Sequence, residues 1–139
     1  MIIDTASILA SLSSYNNPKA RLALLVKKGE YTRLKRGIYE TDIHAPAHAL
    51  AGAIYGPSYI SFEWALSYYS LIPERVHTYT SASFLKSKTK MYHNAFGFYT
   101  YRDVPKTAYP HSLLLQKEMD YTWIIASPEK ALLDTLYTK

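Results

Sequence analysis

Gly56 to Val76 reads GPSYISFEWALSYYSLIPERV, and this stretch sets the fold class. Gly56-Pro57 punctuates the chain, Ser61 is placed to cap, and Phe62 to Leu71 can run as a helix. Ile72-Pro73 ends it, because the residue before a proline is pushed out of the right-handed helical region. Phe62, Trp64, Leu66, Tyr68, Tyr69 and Leu71 crowd the segment, against the single charge of Glu63. A helix apolar over most of its circumference is a buried helix. The segment is therefore expected to be the packing centre of the chain, part of the core and not of a site.

Downstream the pattern changes to strands. Val76 to Phe84 reads as a strand, and Thr89 to His93 with Ala95 to Arg102 reads as a hairpin turning near Asn94. Tyr99-Thr100-Tyr101 alternates large and small side chains, as a strand with one packed face does. Lys86, Lys88 and Lys90 alternate too, which in an extended segment places all three on one face, as a basic patch or as a guard on a sheet edge. Pro105 to Pro110 is a loop. Ser112 to Lys117 and Tyr121 to Ala126 are two more strands, turning at Glu118-Met119-Asp120. Ser127-Pro128-Glu129 opens a closing helix, with serine as N-cap, proline in the first turn and an acid where the helix dipole favours it. Leu132, Leu133 and Leu136 are expected to be its core stripe. A helix that reaches the last residues without a C-cap reads as cut short, or as a docking element.

Upstream lie two short helices and a basic hairpin. Ile8, Leu9 and Leu12 give Thr5 to Ser14 an apolar stripe. Asn16-Asn17-Pro18 breaks it, and Asn17 then caps a second helix with Pro18 at its first position. Leu22, Leu25 and Val26 form that helix's inner stripe, and Gly29 stops it. Tyr31 to Glu40, YTRLKRGIYE, reads as a hairpin with Arg33, Lys35 and Arg36 at and before Gly37. Helix, glycine and basic hairpin are laid out as in a winged helix-turn-helix, where a helix enters the major groove and the wing follows the phosphates. Wing cations would position the protein and would not read bases. An ordinary two-helix subdomain with a hairpin is the alternative. Pro46 to Tyr55 is a further helix, striped by Ala47, Leu50, Ala51 and Ile54.

The fold class expected from these elements is α+β. A small winged helix-turn-helix-like module spans residues 1–43, and an α+β region with a mainly antiparallel sheet spans residues 44–139. The hydrophobic fraction of 48% in 139 residues is enough for a core. No run of eighteen apolar residues is present, so no membrane partner is expected. MIIDTASILASL has no basic leader region, and the chain has no cysteine, which together point to the cytoplasm. The charge of +5 is concentrated: residues 19–36 hold seven basic side chains against Glu30 alone, a local surplus larger than that of the whole chain. Such a cluster is the footprint of a polyanion, or a solvated face.

Catalytic patterns are sparse. The sequence has no GxSxG, P-loop, HExxH or GxGxxG, so no cofactor is expected. Asp103, Glu118 and Asp120 are the only carboxylates that a metal-dependent nuclease would have to use, and they lack an E-x-K spacing; turn residues, with Asp103 paired to Arg102, is the alternative. His44 and His48 are four apart, but Pro46 lies between them and no third ligand is near, so no metal is expected.

LVKKGEYTRLKRGIYE, GPSYISFEWALSYYSLIPERV, FGFYTYRDV and ASPEKALLDTLY, in this order and spacing, resemble the AbiEi-like antitoxin and transcriptional-regulator family of type IV toxin–antitoxin (abortive infection) systems. The resemblance runs from about Leu24 to the end. It implies a non-enzymatic protein with a winged-helix DNA-binding module and an α+β antitoxin region, which represses its own operon. Its partners would be double-stranded operator DNA and a nucleotidyltransferase-like toxin, counteracted without a stable complex. DNA contact transfers to Arg21, Lys27, Lys28, Arg33, Lys35 and Arg36. Family winged helices usually show three helices before the wing, where two are read here. Members usually continue past the SPEKALLD helix, so the expectation is a C-terminally shortened one. The other readings are a metal-dependent nuclease and a protein-interaction module that does not bind DNA.

Overall fold

The computed structural model describes residues 1–105 and 111–138. Of the loop expected at 105–110, all but Pro105 lies outside the described residues. The chain is α+β and forms two compact units: Met1–Ala45 with Asn94–Phe96, and Pro46–His93 with Gly97–Lys139.

The first unit runs β1 (Ile2–Asp4), α1 (Thr5–Ser11), α2 (Pro18–Lys27), β2 (Thr32–Lys35) and β3 (Ile38–Glu40). Asp4 ends β1 and caps α1, its carboxylate accepting the Ser7 N–H at 2.8 Å. Hydrogen bonds from the Ser7 side chain and backbone hold that carboxyl below its ordinary value. Asn17 caps α2 as expected, accepting the Ala20 N–H at 3.2 Å, with Pro18 in the first turn. Ile8, Leu12, Leu22 and Leu25 make the core, and Ile3, Leu9, Val26, Tyr31 and Tyr39 pack around them. Gly29 stops α2 with a φ of +85°, a conformation that costs side-chain-bearing residues free energy. Sequence patterning misses β1, since three residues are too few to show alternation. It pairs antiparallel with β3, giving the order β1-β3-β2.

The second unit is built on a six-stranded sheet, order β6-β7-β5-β4-β9-β8. The strands are β4 (Tyr59–Ile60), β5 (Tyr79–Ser83), β6 (Lys90–Asn94), β7 (Gly97–Asp103), β8 (Leu113–Glu118) and β9 (Tyr121–Ala126). β4 pairs antiparallel with β5, as β8 does with β9, but β4–β9 and β5–β7 are parallel, so this sheet is mixed. The expected 46–55 helix is a 3₁₀ turn at Ala47–Leu50 followed by α3 (Ala51–Ile54). Both lie on the sheet face of Tyr99 and Tyr101, whose hydroxyls donate to the carbonyls of Ala47 and Ala51 at 2.7 and 2.6 Å. The other face carries α5 (Pro128–Tyr137), and α4 (Phe62–Tyr68) meets both sides, Trp64 with His48 of the 3₁₀ turn and Phe62 with the α5 side. There the Arg102 guanidinium lies 3.9 Å from the centre of the Phe62 ring, and Tyr59 reaches Asp134.

The opening helix is shorter and less buried than expected. α4 ends at Tyr68, not Leu71, and only Phe62, Ala65 and Leu66 are buried. Tyr68 and Leu71 face solvent. Its N-terminal Ser61 makes no capping bond; the hydroxyl donates instead to Asp134 at 2.7 Å. The Trp64 N–H that a serine cap would accept donates to the Thr80 hydroxyl at 3.0 Å, so a side chain from β5 fills the capping role.

A larger correction concerns α5. Ser127 caps it as expected, accepting the Lys130 N–H at 3.2 Å. Leu132, Leu133 and Leu136, expected as its core stripe, are all at least half exposed, and the buried residues are Lys130, Ala131, Asp134 and Thr135. Lys130 and Asp134 pair at 2.8 Å inside the protein, and Asp134 also accepts from Tyr59 and Ser61. With every polar atom of this carboxylate answered, the polar side of the helix turns inward, against the rule that apolar periodicity marks the core face.

Burial pushes the Tyr99 and Tyr101 phenols well above their ordinary value, with neighbouring tyrosines adding to the effect. A raised folded value means stability that is whole below the unfolded value, near pH 10, and is lost as pH climbs toward the folded values. Each of the two groups is expected to remove about 1.4 kcal/mol per pH unit in that window. Phenolate absorbance followed beside circular dichroism should show both tyrosines ionising only with unfolding. Their free titration near pH 10 in folded protein would contradict this.

Candidate nucleic-acid interface

The six residues expected to contact DNA all lie in the first unit. Arg21 and Lys27 are on α2, Lys28 is its C-cap, and Arg33 and Lys35 are on β2. Arg36 and Gly37 form the two-residue turn to β3, with Gly37 at φ +89°, the left-handed geometry such turns ask of glycine. Register shifts between Arg33 and Lys35, a bulge that leaves Leu34 buried and Arg33 exposed.

The helix distributes its cations unevenly. At 100° per residue, the buried Leu22 and Leu25 define the inner side, and Lys27 falls almost opposite them. Arg21 and Lys28, seven apart, share one flank. Arg21 is half-buried: its guanidinium sits 4.8 Å from the Tyr15 ring centre, and its Nε is buried without a hydrogen-bond partner. That contact ties Arg21 to the protein surface more closely than sequence reading implied.

Acids in this unit are largely consumed within it. Glu40 is fully buried and receives the Met1 ammonium and the Asp42 N–H. Asp4 caps α1, and Asp42 accepts the His44 N–H at 2.8 Å. By contrast Lys27, Lys28, Arg33 and Arg36 are exposed, and among the described residues none of the four forms an ion pair. Cations that are free while nearby carboxylates are engaged leave a positive field outside the protein.

Other candidates are dispersed. Asp103 does not pair with Arg102; it accepts from the Ser83 hydroxyl and from the N–H groups of Lys86 and Ser87, tying down a turn. Arg102 pairs instead with Glu63, at 2.9 Å to one oxygen. Glu118 pairs with His48 at 2.8 Å, and Asp120 sits in the β8–β9 turn. Among the described residues no three His, Asp or Glu side chains are grouped to hold a metal ion. His44 is exposed in the first unit, whereas His48 stacks on Trp64 and meets Trp123 edge-on. Lys86 and Lys88 lie in a loop before β6, so the expected one-faced lysine row does not form; Lys86 rests 5.4 Å from the Tyr55 ring centre.

Sequence reading missed this aromatic cluster. His48, Trp64, Tyr68, Tyr79 and Trp123 come from four elements, with Trp64 stacked on Tyr68 at 5.3 Å. No spacing in one segment could have signalled it.

No family model matches the chain, and no curated protein matches it.

Proposed function

We propose that this protein is a non-enzymatic, DNA-binding transcriptional regulator whose first unit is a reduced winged helix. The observation that carries this reading is the set Lys27, Lys28, Arg33 and Arg36, exposed and without ion pairs among the described residues, in a unit whose acids are mostly engaged internally. Topology supports it: a strand, two helices and a hairpin, with β1 closing the sheet against β3. α2 is then the groove helix, presenting Lys27 and Lys28, and Arg33, Lys35 and Arg36 form the wing along the phosphates. The resemblance noted above extends the reading to an antitoxin that represses its own operon and counteracts a nucleotidyltransferase-like toxin.

Fluorescence anisotropy on duplex DNA from upstream of the gene tests it. Binding should weaken steeply with salt, with a log–log slope near −0.9 per phosphate contact. Replacing Arg33, Lys35 and Arg36 together by glutamine should weaken binding to every duplex and flatten the slope by about 3. A triple variant with wild-type affinity and slope would remove the wing from the interface. Absence of salt-dependent binding by the native protein would remove the function.

A further inference from the structure

We propose that the outward face of α5 is a self-association surface through which two copies of this chain pair. The observation is the inverted helix. Its buried side is held by Lys130 and Asp134, while Leu132, Leu133, Leu136 and Tyr137 are 50%, 52%, 61% and 61% exposed.

The sheet extends this face. Leu115 and Ile124 are register partners and so share a side of the sheet. Ile60 is the partner of Ile125, which places Tyr59 on the side of Ile124, and Tyr59 donates to Asp134 of α5. Leu115 and Ile124, 72% and 39% exposed, therefore lie on the side of the sheet that α5 covers, with Leu115 on the edge strand. These six side chains open on the order of 600 Å² of surface, at the upper end of what a monomer leaves apolar. Each partner in a standard interface contributes about 800 Å², so this face supplies most of one half.

Two features favour a second copy as the occupant. Leu132–Leu136 and Leu133–Tyr137 are parallel rows spaced four apart, the ridges that interlock when one helix crosses another of the same kind. On α5 this face carries a single charge, Glu129, exposed in the first turn, and on the sheet Lys117 shares Leu115's side of β8. Lys130 and Asp134 point inward and neutralise one another, and two helices crossing antiparallel about a two-fold axis near Leu133 and Leu136 hold the two Glu129 side chains at opposite ends of the contact. The inference is independent of DNA binding.

Sedimentation velocity of the full chain across a roughly hundredfold dilution series reads the mass directly. The native protein should be a dimer at the concentrated end. Leu132→Glu with Leu136→Glu should weaken pairing by roughly a hundredfold or more, with native circular dichroism, since both residues are exposed. Leu115→Lys, remote in sequence, should weaken it too. The chain has no cysteine, so Leu132→Cys, Leu133→Cys and Leu136→Cys are clean probes, and at least one should form a disulfide-linked dimer. A native protein that stays monomeric throughout would overturn the proposal and leave the face to a different protein. A dimer that survives the glutamates, or no cross-link at any of the three cysteines, would place pairing elsewhere.

Discussion

Asp134→Ala is expected to lower the free energy of unfolding by about 3–5 kcal/mol, among the largest effects of any single change in this chain. Asp134 has no solvent exposure, and both its oxygens are occupied. Oδ1 accepts from Lys130 Nζ at 2.8 Å; Oδ2 accepts from the hydroxyls of Tyr59 and Ser61, each at 2.7 Å. Alanine leaves a lysine that is 5% exposed without a counter-charge, and strands two buried hydroxyls. An unpaired buried charge is what makes the loss large; the pair itself is worth far less. The double variant Lys130→Met, Asp134→Leu should therefore regain most of what Asp134→Ala loses. Asp134→Asn should fall between, still accepting from the hydroxyls while leaving Lys130 unpaired. Urea unfolding followed by circular dichroism measures all three. A midpoint for Asp134→Ala within error of the native protein would show that this network does not hold α5 in place.

That network also marks where sequence reading stopped. Local signals were legible because each is satisfied within a few residues. Asn17 and Ser127 cap the helices they precede, Gly29 and Gly37 take left-handed backbone, and the β8–β9 hairpin turns at Met119-Asp120. The exposed basic residues of the hairpin were legible for the same reason. Lys130–Asp134 was visible only as a helical spacing of four, which on most helices is a solvent-exposed pair. Its partners, Tyr59 and Ser61, lie more than seventy positions away in sequence. Without them the three leucines of α5 could only be read as core. Parallel pairing of β4 with β9 and of β5 with β7 was hidden likewise, because alternation reports which face is packed and not which strand lies alongside. That Lys27, Lys28, Arg33 and Arg36 form no ion pair among the described residues also needed the structure, since pairing depends on where Glu40 and Asp42 turn.

Phe62→Ala should destabilise the protein more than Trp64→Ala, reversing the order that side-chain size suggests. Phe62 is fully buried, with the Arg102 guanidinium stacked over its ring, so truncation opens a cavity and uncovers a cation. It also has a φ of +58°, a left-handed conformation held against its intrinsic cost of about 1–3 kcal/mol by this packing. Alanine keeps that backbone cost and loses the packing, so a loss of about 3–5 kcal/mol is expected. Phe62→Gly relieves the backbone and should lose no more than alanine, although glycine ordinarily destabilises a helix. Trp64 is only partly buried, and His48, Tyr68, Tyr79 and Trp123 can close over the gap it leaves. Its loss is expected to be about 1–3 kcal/mol, within the range of ordinary substitutions. Thermal and urea unfolding of the three variants give the order directly. Trp64→Ala emerging as the more damaging change would move the centre of this unit from the Arg102–Phe62 contact to the aromatic cluster around His48.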